Sequence, residues 1–185
     1  MTHPLQSIPQ EKRKAVFWSL LSATLIWMVI MQLVNAPLIT ADAPQGIISF
    51  ELAGSFGKAK WILASWGVRA QMYAAFGLGI DYVFMLLYST TIALGCIWSG
   101  EVLRSVGWPL SKLGVGLAWG QWAAAALDAV ENIALAVILV GGLAHHWPEL
   151  ACWCALIKFA LIFIGLVYAF FGLVARLSHR SHVFL

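Results

Sequence analysis

Apolar residues run without a charge from Ala15 to Val34. At roughly 1.5 Å per residue such a helix crosses a hydrocarbon layer of about 30 Å. Asn35, Pro37 and the polar stretch from Thr40 to Gln45 end this first run. Three more runs follow at about 76–98, 115–140 and 151–175. The second extends back toward Arg69, Gly141-Gly142 closes the third, and the fourth stops at Arg176. The pattern predicts an all-α polytopic membrane protein. Four transmembrane helices at about 15–34, 76–98, 115–140 and 151–175 form a single membrane domain over 1–185, a four-helix bundle.

Between the first two runs the periodicity changes. From about 47 to 66, Leu52, Phe56, Ala59, Leu63 and Trp66 recur on one helical face, and Glu51, Ser55 and Lys58 on another. This reads as an amphipathic interfacial helix packed as a lid for stability, or alternatively as a gate over an outward-opening cavity. Gly54 and Gly57 would loosen it. Glu51 reads first as solvated on the polar face; folded over the other helices, it would face them from above.

Composition strengthens the membrane reading. Hydrophobic residues make up 62% of the chain and charged ones 10%, where soluble domains carry about a quarter charged residues. The mean hydropathy is +0.86. A net charge of +3 without a dense basic stripe speaks against nucleic acid. Cys152 and Cys154 are two apart, with Cys96 far off, so neither a disulfide framework nor a C-x-x-C redox pair is indicated. The basic cluster Lys12, Arg13, Lys14 precedes an apolar run too long for a cleaved leader, which predicts a retained first helix.

Orientation follows from the short loops. With the N-terminus inside, Lys12, Arg13, Lys14, Arg104, Lys112, Arg176 and Arg180 fall on the cytoplasmic side, and only Lys58, Lys60 and Arg69 opposite. Both termini are thus predicted to be cytoplasmic in a bacterial inner (plasma) membrane, with Trp108 and Trp147 as interfacial anchors. No internal repeat suggests an inverted-repeat transporter. His179 and His182 read as part of a solvated tail, since two histidines do not complete a metal shell.

The informative residues are the charges inside the apolar runs. Asp81 lies in the second, Asp128 and Glu131 with Asn132 in the third, and Lys158 in the fourth. An Asp or Lys at a helix centre costs about 2.5–3.5 kcal/mol on insertion scales, so these groups must face a partner, protein or water. By chain position they fall in one layer, in the outer half of the bilayer. Asp128, Glu131 and Asn132 share a face through their i+3 and i+4 spacing. Tyr88 follows Asp81 by seven residues, and small residues (Gly116, Gly120, Ala123 to Ala126) permit close helix approach.

The candidate ligand-binding pocket therefore comprises Asp81, Tyr88, Asp128, Glu131, Asn132 and Lys158, with Glu51 above it. As polar glue, Lys158 pairs with Glu131 or Asp81 and the remaining acids are protonated. As a functional site, the cluster holds a proton, cation or other ligand, because one lysine cannot neutralise three acids. The reading that follows is binding or transport of a small cationic, protonatable or lipid-like ligand. One alternative is a membrane enzyme using paired carboxylates on a hydrophobic substrate. Another is an accessory subunit of a larger membrane complex. Expected partners are membrane lipids, a hydrophobic or cationic small ligand, and further copies or subunits. No catalytic residue is singled out, and no metal or cofactor motif is present.

Overall fold

A computed structural model describes residues 2–142 and 146–181. The described chain is helical throughout, without strands: α1 Gln10–Asn35, α2 Ile47–Glu51, α3 Phe56–Ser65, α4 Val68–Ser105, α5 Leu113–Leu139 and α6 His146–Ser181. Four of the helices (α1, α4, α5 and α6) are long and apolar enough to cross a membrane. They outrun the apolar stretches that predict them. α4 has 38 residues, about 57 Å at the helical rise, because Ala70, Gln71, Met72, Leu103 and Arg104 are all good helix formers, whatever their polarity.

The ends have local causes. At the start of α1 the Pro9 carbonyl accepts from the amides of Lys12 and Arg13; Pro37, which cannot continue a helix, lies in the short 3-10 turn Ala36–Leu38 that closes it. α4 and α5 stop in the same way. Gly107 (φ 73°) and Gly141 (φ 91°) adopt the left-handed conformation. The amides that follow reach back five residues, Trp108 to the Leu103 carbonyl at 2.9 Å and Gly142 to the Val137 carbonyl at 2.8 Å.

The segment read as one amphipathic helix over 47–66 forms two. The chain breaks between Leu52 and Ser55, with Gly54 at φ 66°, and Ser55 caps α3 by accepting from the Lys58 amide. Of the predicted apolar face within α3, Ala59 is buried and Phe56 and Leu63 are half-buried; Ile62, not on that face, is buried as well, while Lys58, Lys60 and Trp61 are exposed.

The helices divide into two compact units. One comprises Thr24–Leu86 and Ala125–Lys158. Its core joins Leu38, Phe50, Ile62, Trp66, Leu78 and Leu135. Polar bonds pin the short helices over this core: the Trp66 indole N–H donates to the Leu38 carbonyl at 2.8 Å, and the Gln71 amide donates to the Leu63 and Trp66 carbonyls.

The other unit comprises the chain to Ala23, Leu87–Ala124 and the chain from Phe159. Here backbones approach closely. A Cβ on Gly114 would lie 2.6 Å from the Cys96 carbonyl oxygen and 3.1 Å from Gly100 Cα. The small residues singled out in α5 do less: nothing lies within 4 Å of a Cβ on Gly116, and Gly120 meets only Leu161. Arg13 pairs with Glu101 and donates to the Ile8 and Gln6 carbonyls, tying the N-terminal turn to α4. His3 is buried against the rings of Trp119 and Trp122, which holds its pKa below the ordinary imidazole value. Of the tail histidines, His182 lies outside the described residues, as does the side chain of His179.

Gly46 is the strictest backbone requirement in the first unit. It sits at φ 61°, ψ −123°, and an added Cβ would fall 2.2 Å from Asn35 Oδ1. That oxygen accepts the Ile47 amide at 2.8 Å and starts α2. Gly46→Ala is expected to lower the stability of detergent-purified protein by about 1–3 kcal/mol in thermal unfolding. Gly57→Ala, where a Cβ meets nothing within 4 Å, should be neutral or stabilising by up to about 1 kcal/mol.

Candidate functional site

All the intramembrane charges predicted from the sequence lie in the unit formed by Thr24–Leu86 and Ala125–Lys158. At its centre is the Lys158 ammonium of α6, which is 5% exposed. Its Nζ lies 2.8 Å from Asp128 Oδ1 and 2.8 Å from Glu131 Oε2, both on α5, and 3.7 Å from Glu51 Oε2 on α2. The first two contacts have the length of charge-assisted hydrogen bonds; the third is too long for one. The i+3 spacing of Asp128 and Glu131 lets two carboxylates of one helix hold a single ammonium.

One residue further on, Asn132 serves α4. Its Nδ2 donates to Asp81 Oδ2 at 2.7 Å. Bonds on either side of Asp81 hold α4 in place: the Trp27 indole N–H donates to the Ile80 carbonyl at 3.2 Å, and the Tyr82 hydroxyl reaches the Ala129 carbonyl at 3.5 Å. Asp81 is half-buried, while Glu131, Asp128 and Asn132 are nearly inaccessible.

Glu51 is where the structure departs from its first reading. It is buried rather than solvated. Phe50 beside it packs edge-to-face on Trp66, with ring centres 5.3 Å apart, in the apolar core. α2 is thereby fixed so that Glu51 turns toward Lys158. Its carboxyl and that of Glu131 converge on the same ammonium, at 3.7 and 2.8 Å from Lys158 Nζ. Two ionised carboxylates repel each other in such a place, and a proton held between them relieves the repulsion. Without that proton, Glu51 Oε2 and Glu131 Oε1 have no hydrogen-bond donor. Burial pushes the Glu51 pKa up; the nearby Lys158 opposes this and Asp128 reinforces it.

The cluster thus sets four acids (Glu51, Asp81, Asp128 and Glu131) against one lysine, a larger excess than the sequence alone indicates. Tyr88 is buried and falls in the other compact unit. Cys154, one turn before Lys158, is buried near Glu131 and Lys158. Among the described residues no group of His, Cys, Asp or Glu is arranged to hold a metal ion.

A narrow cleft of about 30 Å³ runs up to these groups. Asn35, Glu51, Asp81 and Asn132 form its polar wall, and Val34, Leu38, Ala74 and Leu78 line the apolar side. A space of this size holds one or two waters. Asn35 was legible in the sequence only as a helix-ending residue. Its place on the cleft follows from its bond to the Ile47 amide, which carries α2 and Glu51 with it.

Two substitutions separate charge balance from packing. Lys158→Met leaves Asp128 and Glu131 buried without their cation and should cost about 3–5 kcal/mol at neutral pH. Glu51→Gln keeps the shape and supplies a donor to Glu131, and should stay within about 1 kcal/mol of the parent in the same unfolding assay. The pH dependence has a definite sign. Because the folded-state pKa of Glu51 is raised, folding retains a proton that the unfolded chain releases above about 4.5. Its contribution is full below that value and falls as the pH rises. Glu51→Gln should therefore flatten the decline of melting temperature from pH 5 to 8.

Compared with protein families, with curated proteins and with solved structures, the chain matches none.

Proposed function

We propose that the chain is an integral membrane protein whose four long helices span the bilayer, and that its acidic site binds and exchanges a small cation, of which the proton fits best. The observation that carries this reading is the excess of four buried or half-buried acids over the single ammonium of Lys158, beside a cleft that admits water. In an apolar surround such an excess is held only with protons or another cation. The cleft's small volume favours protons over a lipid-like ligand or a substrate for acid–base chemistry. An α5 of 27 residues and an α1 of 26 match a bilayer with its interfaces, about 40 Å at the helical rise.

The membrane setting draws support from the surfaces. α1 leaves Trp18, Ile26, Val29 and Leu33 exposed, and α6 does the same with Trp153, Phe163, Leu166 and Phe170. On α3 the exposed side chains are Lys58, Lys60 and Trp61, which suits the headgroup region, where lysines and tryptophan anchor. The basic residues on either side favour cytoplasmic termini and an outward-facing site in a bacterial inner membrane.

Reconstitution into vesicles tests the reading. Protein in liposomes carrying an internal pH dye, with an imposed potassium-diffusion potential, should acidify the lumen faster than empty liposomes. Asp81→Asn and Glu131→Gln should each slow this at least tenfold. Equal rates for the parent, both variants and empty liposomes would remove proton transfer as the function and leave the cluster as polar glue between helices.

A further inference from the structure

Glu51 and Glu131 form a pair that neither the charge count nor the Lys158 ion pairs require. Glu51 is 8% exposed and Glu131 0%. Both carboxyls converge on Lys158 Nζ, at 3.7 and 2.8 Å, and Glu51 Oε2 and Glu131 Oε1 have no donor. Of the two, Glu51 alone lines the cleft; neither Glu131 nor Lys158 reaches it. Glu51 Oε2 is buried without a donor, 3.7 Å from Lys158 Nζ, so Glu51 borders both the cleft and the ion pairs.

We infer that Glu51 and Glu131 hold one proton between them, and that Glu51 is the port through which this proton is exchanged with water in the cleft. The inference rests on the proton-exchange reading given above and names the residues that perform it. Inward transfer is balanced: a hydronium in the cleft gives one proton to Glu51, and the proton already shared passes to Glu131. No bond other than O–H is made or broken.

Electrostatics give the transfer a consequence. Glu131 in its neutral form no longer attracts Lys158, which keeps its contact with Asp128 at 2.8 Å. The charged and titratable groups facing the pair are Lys158 and Cys154 on α6, Asp128 on α5 and Asp81 on α4. Lys158 favours ionisation of the pair, while the two aspartates oppose a second negative charge. One shared proton lowers the pair from two negative charges to one beside the single ammonium. Glu51 sits on the short helix that Gly46 and Asn35 position, so the port is set by the cover and not by a long helix.

Dicyclohexylcarbodiimide adds to protonated carboxyls in apolar surroundings and provides the test on full-length protein in detergent. Peptide mapping by mass spectrometry should find one adduct per chain, on Glu51 or Glu131 and never on both, with labelling that falls as the pH rises. Glu51→Gln should reduce labelling of Glu131 at least fivefold, because a glutamine donor leaves Glu131 ionised beside Lys158. Asp81→Asn should leave the pair labelled. Two adducts on one chain, or unchanged Glu131 labelling in Glu51→Gln, would overturn the shared proton. The parent stoichiometry decides the matter even where a variant does not fold. Single labelling without proton flux in vesicles keeps this pair and removes the transport reading. Flux with independent labelling does the reverse.

Discussion

An ammonium removed from water must be answered by negative charge, and at Lys158 that demand organises the surrounding unit. Two carboxylates on one helix meet it at 2.8 Å each, and a third approaches from a separate short helix. Removing one partner from such a group leaves a buried charge uncompensated, which costs more than the intact group contributes. The arrangement therefore specifies how α5 and α6 are rotated within this unit more sharply than apolar contacts would. A shift of one residue in α5 would carry both Asp128 and Glu131 about 100° away from Lys158.

Apolar packing and charge are joined at α2. Phe50 enters the core against Trp66, and the adjacent Glu51 is carried toward the ammonium. Asn35 and Gly46 fix where this helix begins, and the Trp66 and Gln71 bonds fix the cover that follows it. Five residues make a helix too short to be stable alone. Its position is a product of these tertiary bonds. A carboxylate that determines the protonation of the site thus depends on an indole and an amide distant from it in the chain, and on a glycine at the start of its own helix.

The excess of acid over base distinguishes this cluster from an ordinary buried ion pair. A lysine and one carboxylate close their own electrostatics. Four acids around one lysine leave a requirement for protons, and the cleft beside Glu51 and Asp81 gives water a way to meet it. In the proposed membrane setting this links the internal charge state to the pH of one side. The other unit contrasts in chemistry. Its polar groups, such as Gln121 donating to the Leu161 carbonyl and Tyr168 to the Leu110 carbonyl, tie helices to backbone without any charge surplus.

Hydropathy and periodicity alone determined the four long apolar helices, the i+3 and i+4 face of Asp128, Glu131 and Asn132, and the anomaly of acids exceeding lysine. These are local properties of a chain that must satisfy its backbone and its charges. The same logic failed at two places. The break at 52–55 resets the helical register, so the face of Glu51 did not follow from that of Phe56 to Trp66. Gly116 looked like a packing site, whereas the close approach falls at Gly100 and Gly114. Only the tertiary structure decided which acids meet Lys158 and which line the cleft. Those contacts depend on the rotation and translation of separate helices, to within an ångström, and spacing along one helix carries no information about either.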